Sequence, residues 1–322
     1  MTGGRADGSR VRTVFLGSGG FGVGALRALS AHPDVDLVGI VTAQPRPAGR
    51  KQRVTQTPIE MTAGDVGIET ILTPERLRTP EAISSVLALE PELAVLVDYG
   101  QIVPPELLAL RHGALNLHPS LLPRHRGATP IPAAILAGDA ETGVTLMRMD
   151  AGLDTGPIVA RRTRRLDGTE TTPVLEAVLA QDAADLVATH LGSWIAGELE
   201  ARPQPIEGVS LTRPLRREDG RLDPRHPAVE LERQVRAYQP WPGSFIDTVA
   251  GRIVVWRAHD IGIPADGETM LPGRIRNSGM DAGDQAFLTF DEVQPAGGRR
   301  MSWKDFLRGH PAIVGSEIVP GP

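Results

Sequence analysis

An apolar run that feeds straight into a glycine-rich turn constrains this chain more than any other feature. Val11–Leu16 is followed by Gly17-Ser-Gly-Gly-Phe-Gly22, then by a helical pattern over Gly24–Ser30, then by a second apolar, β-branched run at Asp36–Thr42. A strand, a tight turn, a helix and another buried strand make a unit whose strands run parallel, because the helix must cross over between them. The alternation continues. Pro80–Leu89 reads as a helix, Leu93–Val97 as a buried strand, Gly113–His118 as a strand and Thr129–Ala137 as a helix. Gly143–Met149 and Pro157–Arg162 read as strands, and Glu170–Leu199 as a long helix rich in Ala and Leu. The expected fold class is α/β, a doubly wound, mostly parallel sheet with helices on both faces.

Beyond residue 202 the character changes. Pro203–Arg225 mixes prolines, glycines and both signs of charge, as linkers do. Ala228–Tyr238 is one amphipathic helix. Short β-like pieces follow at Ser244–Val249, Arg252–Trp256, Gly273–Arg276, Ala286–Phe290 and Asp291–Gln294, separated by Gly and Pro turns, and predict a small β-barrel. The expected division is a disordered N-terminus at 1–10, a first domain at 11–202, a linker at 203–225, a barrel domain at 226–310 and a tail at 311–322. A length of 322 residues suits two domains.

Composition excludes several chemistries. The chain has no cysteine, which removes disulfides, thiolate zinc sites and cysteine nucleophiles. No apolar stretch reaches the roughly 18 residues of a membrane span, and the polar start carries no secretory h-region, so a cytoplasmic location is expected. The net charge of −5 argues against wholesale attraction to nucleic acid. Phosphates would have to be met locally, and the Pro45–Thr57 loop is the best candidate, with Arg46, Arg50, Lys51 and Arg53 and no acid.

Two motifs compete for the functional role. Gly17-x-Gly19-x-x-Gly22 after a strand fits a dinucleotide-binding turn, with Asp36 near the position of a ribose-binding acid. It equally fits a tight strand-to-helix turn with no ligand. The stronger constellation is Asn116-Leu-His118-Pro119. Two residues apart on a strand, Asn116 and His118 face the same side, at the carboxyl end where open α/β sheets bind ligands. Asn116 is one of only two asparagines in the chain. An amide can donate to a developing oxyanion and a histidine can move a proton. No nucleophile stands beside them, because Ser120 lacks a Gly-x-Ser-x-Gly setting, so direct acyl transfer from donor to acceptor is the chemistry available. A carboxylate near His118 would hold its tautomer and raise its pKa; on spacing alone both Asp150 and Asp154 qualify. His112, His118 and His125 lack a compact ligand spacing, and no metal is expected.

At these residues the chain resembles a known family. Asn116-Leu-His118-Pro-Ser-Leu-Leu-Pro-Arg-His-Arg-Gly127, Gly138-Asp-Ala-Glu-Thr-Gly143-Val-Thr and Met149-Asp-Ala-Gly-Leu-Asp154-Thr-Gly156 resemble the 10-formyltetrahydrofolate-dependent formyltransferases. The likeness extends from about Val11 to about His310. Gln44-Pro-Arg-Pro-Ala-Gly-Arg-Lys51, Arg236-Ala-Tyr-Gln-Pro-Trp-Pro242 and Val293-Gln-Pro-Ala-Gly297 are similar to the branch whose acceptor is initiator methionyl-tRNA. The resemblance implies a Rossmann-like sheet that binds folate rather than NAD, and an OB-like C-terminal barrel that contacts tRNA. It implies a catalytic triad of Asn116, His118 and Asp154, with protonated His118 at the oxyanion. It implies 10-formyltetrahydrofolate as co-substrate, held by Ser120, Leu121, Leu122 and Pro123 and by Tyr99 and Gly100 of the loop ending at Pro104. It places tRNA on Arg46, Arg50, Lys51 and Arg53, and a monomer is expected. A small-amine acceptor, such as an amino-sugar nucleotide, and formyl-folate hydrolysis remain as alternatives.

Overall fold

A computed structural model of the protein describes residues 10–48, 53–260 and 269–319. The chain divides into two compact units that are not contiguous in sequence. The first comprises Met1–Pro130, Glu141–Arg165 and Glu176–Thr212, and the second Ile131–Ala140, Leu166–Leu175 and Arg213–Pro322.

The first unit is built on a seven-stranded sheet. Its spatial order is Ile158–Arg165, Glu141–Arg148, Ala114–His118, Leu93–Val97, Val11–Gly17, Val35–Val41 and Ile71–Leu72. Only Glu141–Arg148 runs against the others. Leu93–Val97 is buried at every position and Val11–Gly17 at all but Arg12, which is the pattern of central strands covered on both faces. The mostly parallel sheet expected from the alternation is therefore present.

The glycine turn is a packing device. A Cβ on Gly17 would come within 2.6 Å of the Val97 carbonyl, and one on Gly22 would press on Ile59 and Val97. On Gly19 it would sit 1.6 Å from the Asp98 carboxylate. That carboxylate lies where a dinucleotide phosphate would need positive potential. Asp36 is at the amino end of its strand, the far edge from the turn, and pairs with Arg12 at 3.7 Å. The Asp98 carboxylate beside the turn and the placement of Asp36 both count against the dinucleotide reading.

Several local expectations change. The basic loop is in part a hairpin, in which Arg46–Ala48 pairs with Arg53–Thr55; Arg50 and Lys51 lie outside the described residues, as do residues 1–9 of the expected disordered terminus. Helices beyond those expected include Pro58–Asp65 and Trp303–Gly309. Each has a signature: Thr57 caps the first through the Glu60 N–H with Pro58 at its first position, and Ser302 caps the second through the Asp305 N–H. The segment read as a linker is tied down. Leu211–Thr212 forms a parallel ladder with Arg126–Gly127.

The second unit carries an antiparallel sheet in the order Ser244–Thr248, Gly251–Asp260, Phe287–Pro295 and Gly279–Asp281, with Met301–Ser302 also on Phe287–Pro295. The two pieces expected at Ala286–Phe290 and Asp291–Gln294 are one strand. Gly273–Arg276 forms isolated bridges rather than a strand, through Arg274 to Glu317 and Ile275 to Met280. The Ala228–Ala237 helix buries Leu231 and Val235 in the same core as Ile253, Val255, Leu288 and Trp303. The expected tail belongs to this core as well, because Ile313 and Ile318 are buried in it.

Candidate active site

His118 is the last residue of the Ala114–His118 strand, and Pro119 ends the ladder because it has no N–H to give. The imidazole is buried. Its Nε2 lies 2.9 Å from the His125 carbonyl oxygen. A carbonyl can only accept, so Nε2 carries a proton and Nδ1 presents its lone pair in the neutral ring. Nδ1 faces the Asp154 carboxylate at 3.7 Å. Burial pushes the His118 pKa below the ordinary histidine value, and the nearby His125 adds to this; Asp154 and the His125 carbonyl pull it up but do not prevail. Asp154 raises this pKa, in the direction expected of a carboxylate facing the ring, but desolvation outweighs it, so the resting ring is neutral where the resemblance implies a protonated one.

Asp154 reaches His118 by an indirect route. The register sets Arg148 opposite Leu115, and the Met149 N–H donates to the Ala114 carbonyl, so the loop leaves the sheet beside the amino end of the His118 strand. It then doubles back. Asp150 stabilises the reversal by accepting from the Gly152 N–H at 3.0 Å and the Thr155 hydroxyl at 2.7 Å. Asp154 adopts a left-handed backbone, φ 52°, and its Oδ2 also accepts the Gly127 N–H at 2.7 Å. Of the two candidate acids, Asp150 is exposed and committed to the turn, while Asp154 faces the histidine.

Asn116 shares the strand face with His118 and is half-buried. Among the described residues its amide has no hydrogen-bond partner, which leaves a donor available on that face. Ser120, Leu122 and Pro123 are buried and Leu121 is half-buried. Ser120 Oγ donates to the Arg124 carbonyl at 2.6 Å, and Thr145 Oγ1 both donates to the Ser120 carbonyl and accepts the Leu122 N–H. Arg161 donates to the Leu122 carbonyl. The Ser120 hydroxyl thus shapes this segment from within.

The Tyr99 hydroxyl is buried without a hydrogen-bond partner among the described residues, and burial pushes its pKa up to about 12. Such an orphaned polar atom fits a ligand with a polar ring edge. Gly100 is exposed with open space around it. Gln101, next in this loop, helps line a cleft of about 460 Å³ with Ile102, Arg76, Leu77, Arg78 and Thr79. Asn116, His118 and Asp154 do not line that cleft. Among the described residues no group of three or more His, Asp or Glu is placed to hold a metal ion, and no helix is long and apolar enough to cross a membrane. Arg46 is exposed on its hairpin.

Sequence reasoning missed three contributors. His125 was weighed only as a metal ligand, yet its carbonyl fixes the His118 tautomer. Gln204 and Ser210 sit in the segment read as a linker, and they hydrogen-bond the Asp154 loop and His125 respectively. No local pattern marks them, because each acts on residues 48 or more positions away.

Residues 11–190 match the Formyl transferase family, and residues 214–311 match the Formyl transferase, C-terminal domain, family. The chain is 41% identical over 315 residues to a methionyl-tRNA formyltransferase of Myxococcus xanthus, covering 96% of this chain and 98% of that one. It is 40% identical over 312 residues to the enzyme of the same name from Chloroflexus aurantiacus, covering 93% and 97%. An N-formyltransferase from Helicobacter canadensis, solved with folinic acid and dTDP-3-aminofucose, shares the fold at a TM-score of 0.61 and 15% identity, covering 87% of this chain and 98% of that one. On the matches to both domains and the near full-length likeness to these enzymes, the chain belongs to the formyl transferase family.

Proposed function

We propose that the protein transfers the formyl group of 10-formyltetrahydrofolate to the amino group of initiator methionyl-tRNA. The near full-length likeness to enzymes of that name supports this acceptor. The observation that carries the chemistry is the pairing of a neutral, buried His118 with Asp154, on the same strand face as the free amide of Asn116.

The acceptor amine attacks the formyl carbon held on N10 of the folate. The Asn116 amide donates to the oxyanion that forms. His118 Nδ1, whose lone pair is left free by the Nε2 bond to His125, takes the proton released by the amine. Asp154 stabilises the resulting imidazolium across 3.7 Å. The C–N10 bond then breaks, and the same proton passes to the departing N10. No covalent acyl-enzyme forms. The Tyr99 hydroxyl and the segment Ser120–Pro123 bound the folate, and Arg46, Arg50, Lys51 and Arg53 meet tRNA phosphates. Domain limits at 11–202 and 226–310, a monomeric state and a cytoplasmic location complete the proposal.

The test is transfer of labelled formyl from 10-formyltetrahydrofolate to initiator methionyl-tRNA, beside amino-sugar nucleotides and water as acceptors. Transfer to the tRNA at a kcat/KM far above the others is expected. Preferential transfer to a small amine, or simple hydrolysis, overturns the acceptor assignment.

A further inference from the structure

Both ring nitrogens of His118 meet residues held in left-handed backbone. His125, whose carbonyl accepts from Nε2, has φ 56°; Asp154, whose carboxylate faces Nδ1, has φ 52°. Non-glycine residues rarely occupy this region, and two at one histidine call for something that holds them there. One short stretch, 204–212, holds both.

Ser210 grips His125 twice. Its Oγ accepts the His125 N–H at 2.8 Å and lies 3.3 Å from His125 Nδ1, to which its own proton can be given. Gln204 grips Asp154. Its amide nitrogen donates to the carbonyls of Asp154 and Gly156, each at 2.8 Å, and its oxygen accepts from Arg126 Nε and Nη2 at 3.1 and 2.7 Å. Both amide protons and the amide oxygen are therefore engaged. Directly after Ser210 the Leu211–Thr212 ladder fixes Arg126–Gly127, and Gly127 N–H is the group that binds Asp154 Oδ2. The approach is close, since a Cβ on Gly127 would lie 2.4 Å from the Thr212 carbonyl.

We propose that the 204–212 segment is the positioning device of the site, with Ser210 setting the His118 tautomer through His125 and Gln204 setting the Asp154 carboxylate through its loop. This rests on the catalytic reading of His118 and Asp154 given above. Neither residue is catalytic, because neither touches His118 or the reacting atoms. The segment connects the first unit to the rest of the chain, so the same residues that lead out of the catalytic fold complete its geometry.

The variants are Ser210→Ala with Ser210→Thr as the conservative rescue, and Gln204→Glu, which keeps the oxygen facing Arg126 but loses both donated bonds. Three readouts are taken on the full-length protein: the melting temperature, kcat and KM for formyl transfer, and the ¹⁵N shifts of the His118 ring. Displacement of a catalytic group by about 1 Å can cost on the order of 100-fold in rate. We expect Ser210→Ala and Gln204→Glu to lower kcat by about tenfold to 100-fold on that scale, with KM for the folate within about twofold. Ser210→Thr should regain most of the rate. In Ser210→Ala the His118 signals should move from a single Nε2–H form to a tautomer mixture. Unchanged kcat and unchanged ring shifts in folded variants overturn the proposal, as does a rate loss that only follows loss of folded protein. The ring shifts need no activity. If the wild type fails to transfer formyl at all, the functional reading fails while the tautomer measurement still decides the positioning role.

Discussion

His118 Nδ1 and the Asp154 carboxylate face each other across 3.7 Å, a distance too long for a direct hydrogen bond and short enough for strong charge coupling. With Nε2–H committed to the His125 carbonyl, the neutral ring turns a lone pair toward an anion. That arrangement improves when a proton arrives on Nδ1, which is what a general base beside an attacking amine requires.

Asp154→Asn should therefore lower kcat by about 100-fold, within the usual range for a disturbed acid–base pair. The pH profile carries the sign. His118 already titrates below the ordinary histidine value because it is buried, and Asp154 pulls it upward. Removing the charge should move the acid limb of kcat to still lower pH. An acid limb that rises toward or above 6.5 contradicts the assignment.

The same depressed pKa links folding to pH. An unfolded histidine binds its proton near 6.5, more readily than buried His118 does. The stabilisation from this neutral ring is present above that value and is lost as pH falls through the folded pKa. Urea midpoints of wild type and His118→Gln should diverge as pH is varied from 7.5 to about 5, with the wild type losing more. Parallel curves count against a neutral buried His118.

Asn116→Ala should lower kcat by about 10²–10³, the usual loss for one oxyanion donor. The side chain is half-buried and has no partner among the described residues, so the melting curve should barely move. A large stability loss with modest rate loss would assign Asn116 a structural role.

The sheet was legible because its central strands are buried on both faces and so appear as uninterrupted apolar runs; Leu93–Val97 was located to the residue. Asn116 and His118 were legible because period-2 geometry is local. Asp154 could not be separated from Asp150 by spacing, since what distinguishes them is a reversal held by Asp150 itself. The depressed His118 pKa was not readable either, because desolvation depends on what packs around the ring. The missed helices at 58–65 and 303–309 were written in their caps, Thr57-Pro58 and Ser302, and were overlooked beside weaker apolar periodicity.

Tyr99 and Tyr238 are the only tyrosines, and burial raises both, Tyr99 to about 12. A spectrophotometric titration should find less phenolate at pH 10 than the half-ionisation expected of rings that titrate normally. Saturating folate should perturb the Tyr99 ring spectrum, and Tyr99→Phe should abolish that change. A folate difference spectrum identical in Tyr99→Phe would separate Tyr99 from the ligand.

Gly19 and Asp98 form a mutually dependent pair. Gly19→Ala would drive its methyl into the Asp98 carboxylate, at a cost of about 1–3 kcal/mol if the neighbour cannot yield. Asp98 has φ 50°, so Asp98→Gly removes the obstruction and suits the backbone. The double variant should recover most of the loss, measured as a coupling between urea unfolding energies. Strict additivity would show that the carboxylate simply swings aside.

If tRNA is the acceptor, its affinity should come largely from phosphates despite a net charge of −5. Arg46 is exposed on the hairpin that follows the Val35–Val41 strand, and Arg50, Lys51 and Arg53 add three cations close by in sequence with no acid among them. Each neutralised phosphate contributes about −0.7 to −0.9 to the slope of log affinity against log salt. Replacing Arg46 and Arg50 with alanine should weaken tRNA binding and flatten that slope by about one to two units. Folate binding should stay nearly unchanged, because these residues are assigned to the tRNA and the folate to Tyr99 and the Ser120–Pro123 segment. Binding isotherms at four or more salt concentrations, for wild type and double variant, decide the matter. Equal slopes would move the tRNA contacts elsewhere, and a wild-type affinity indifferent to salt would favour a small amine as the acceptor.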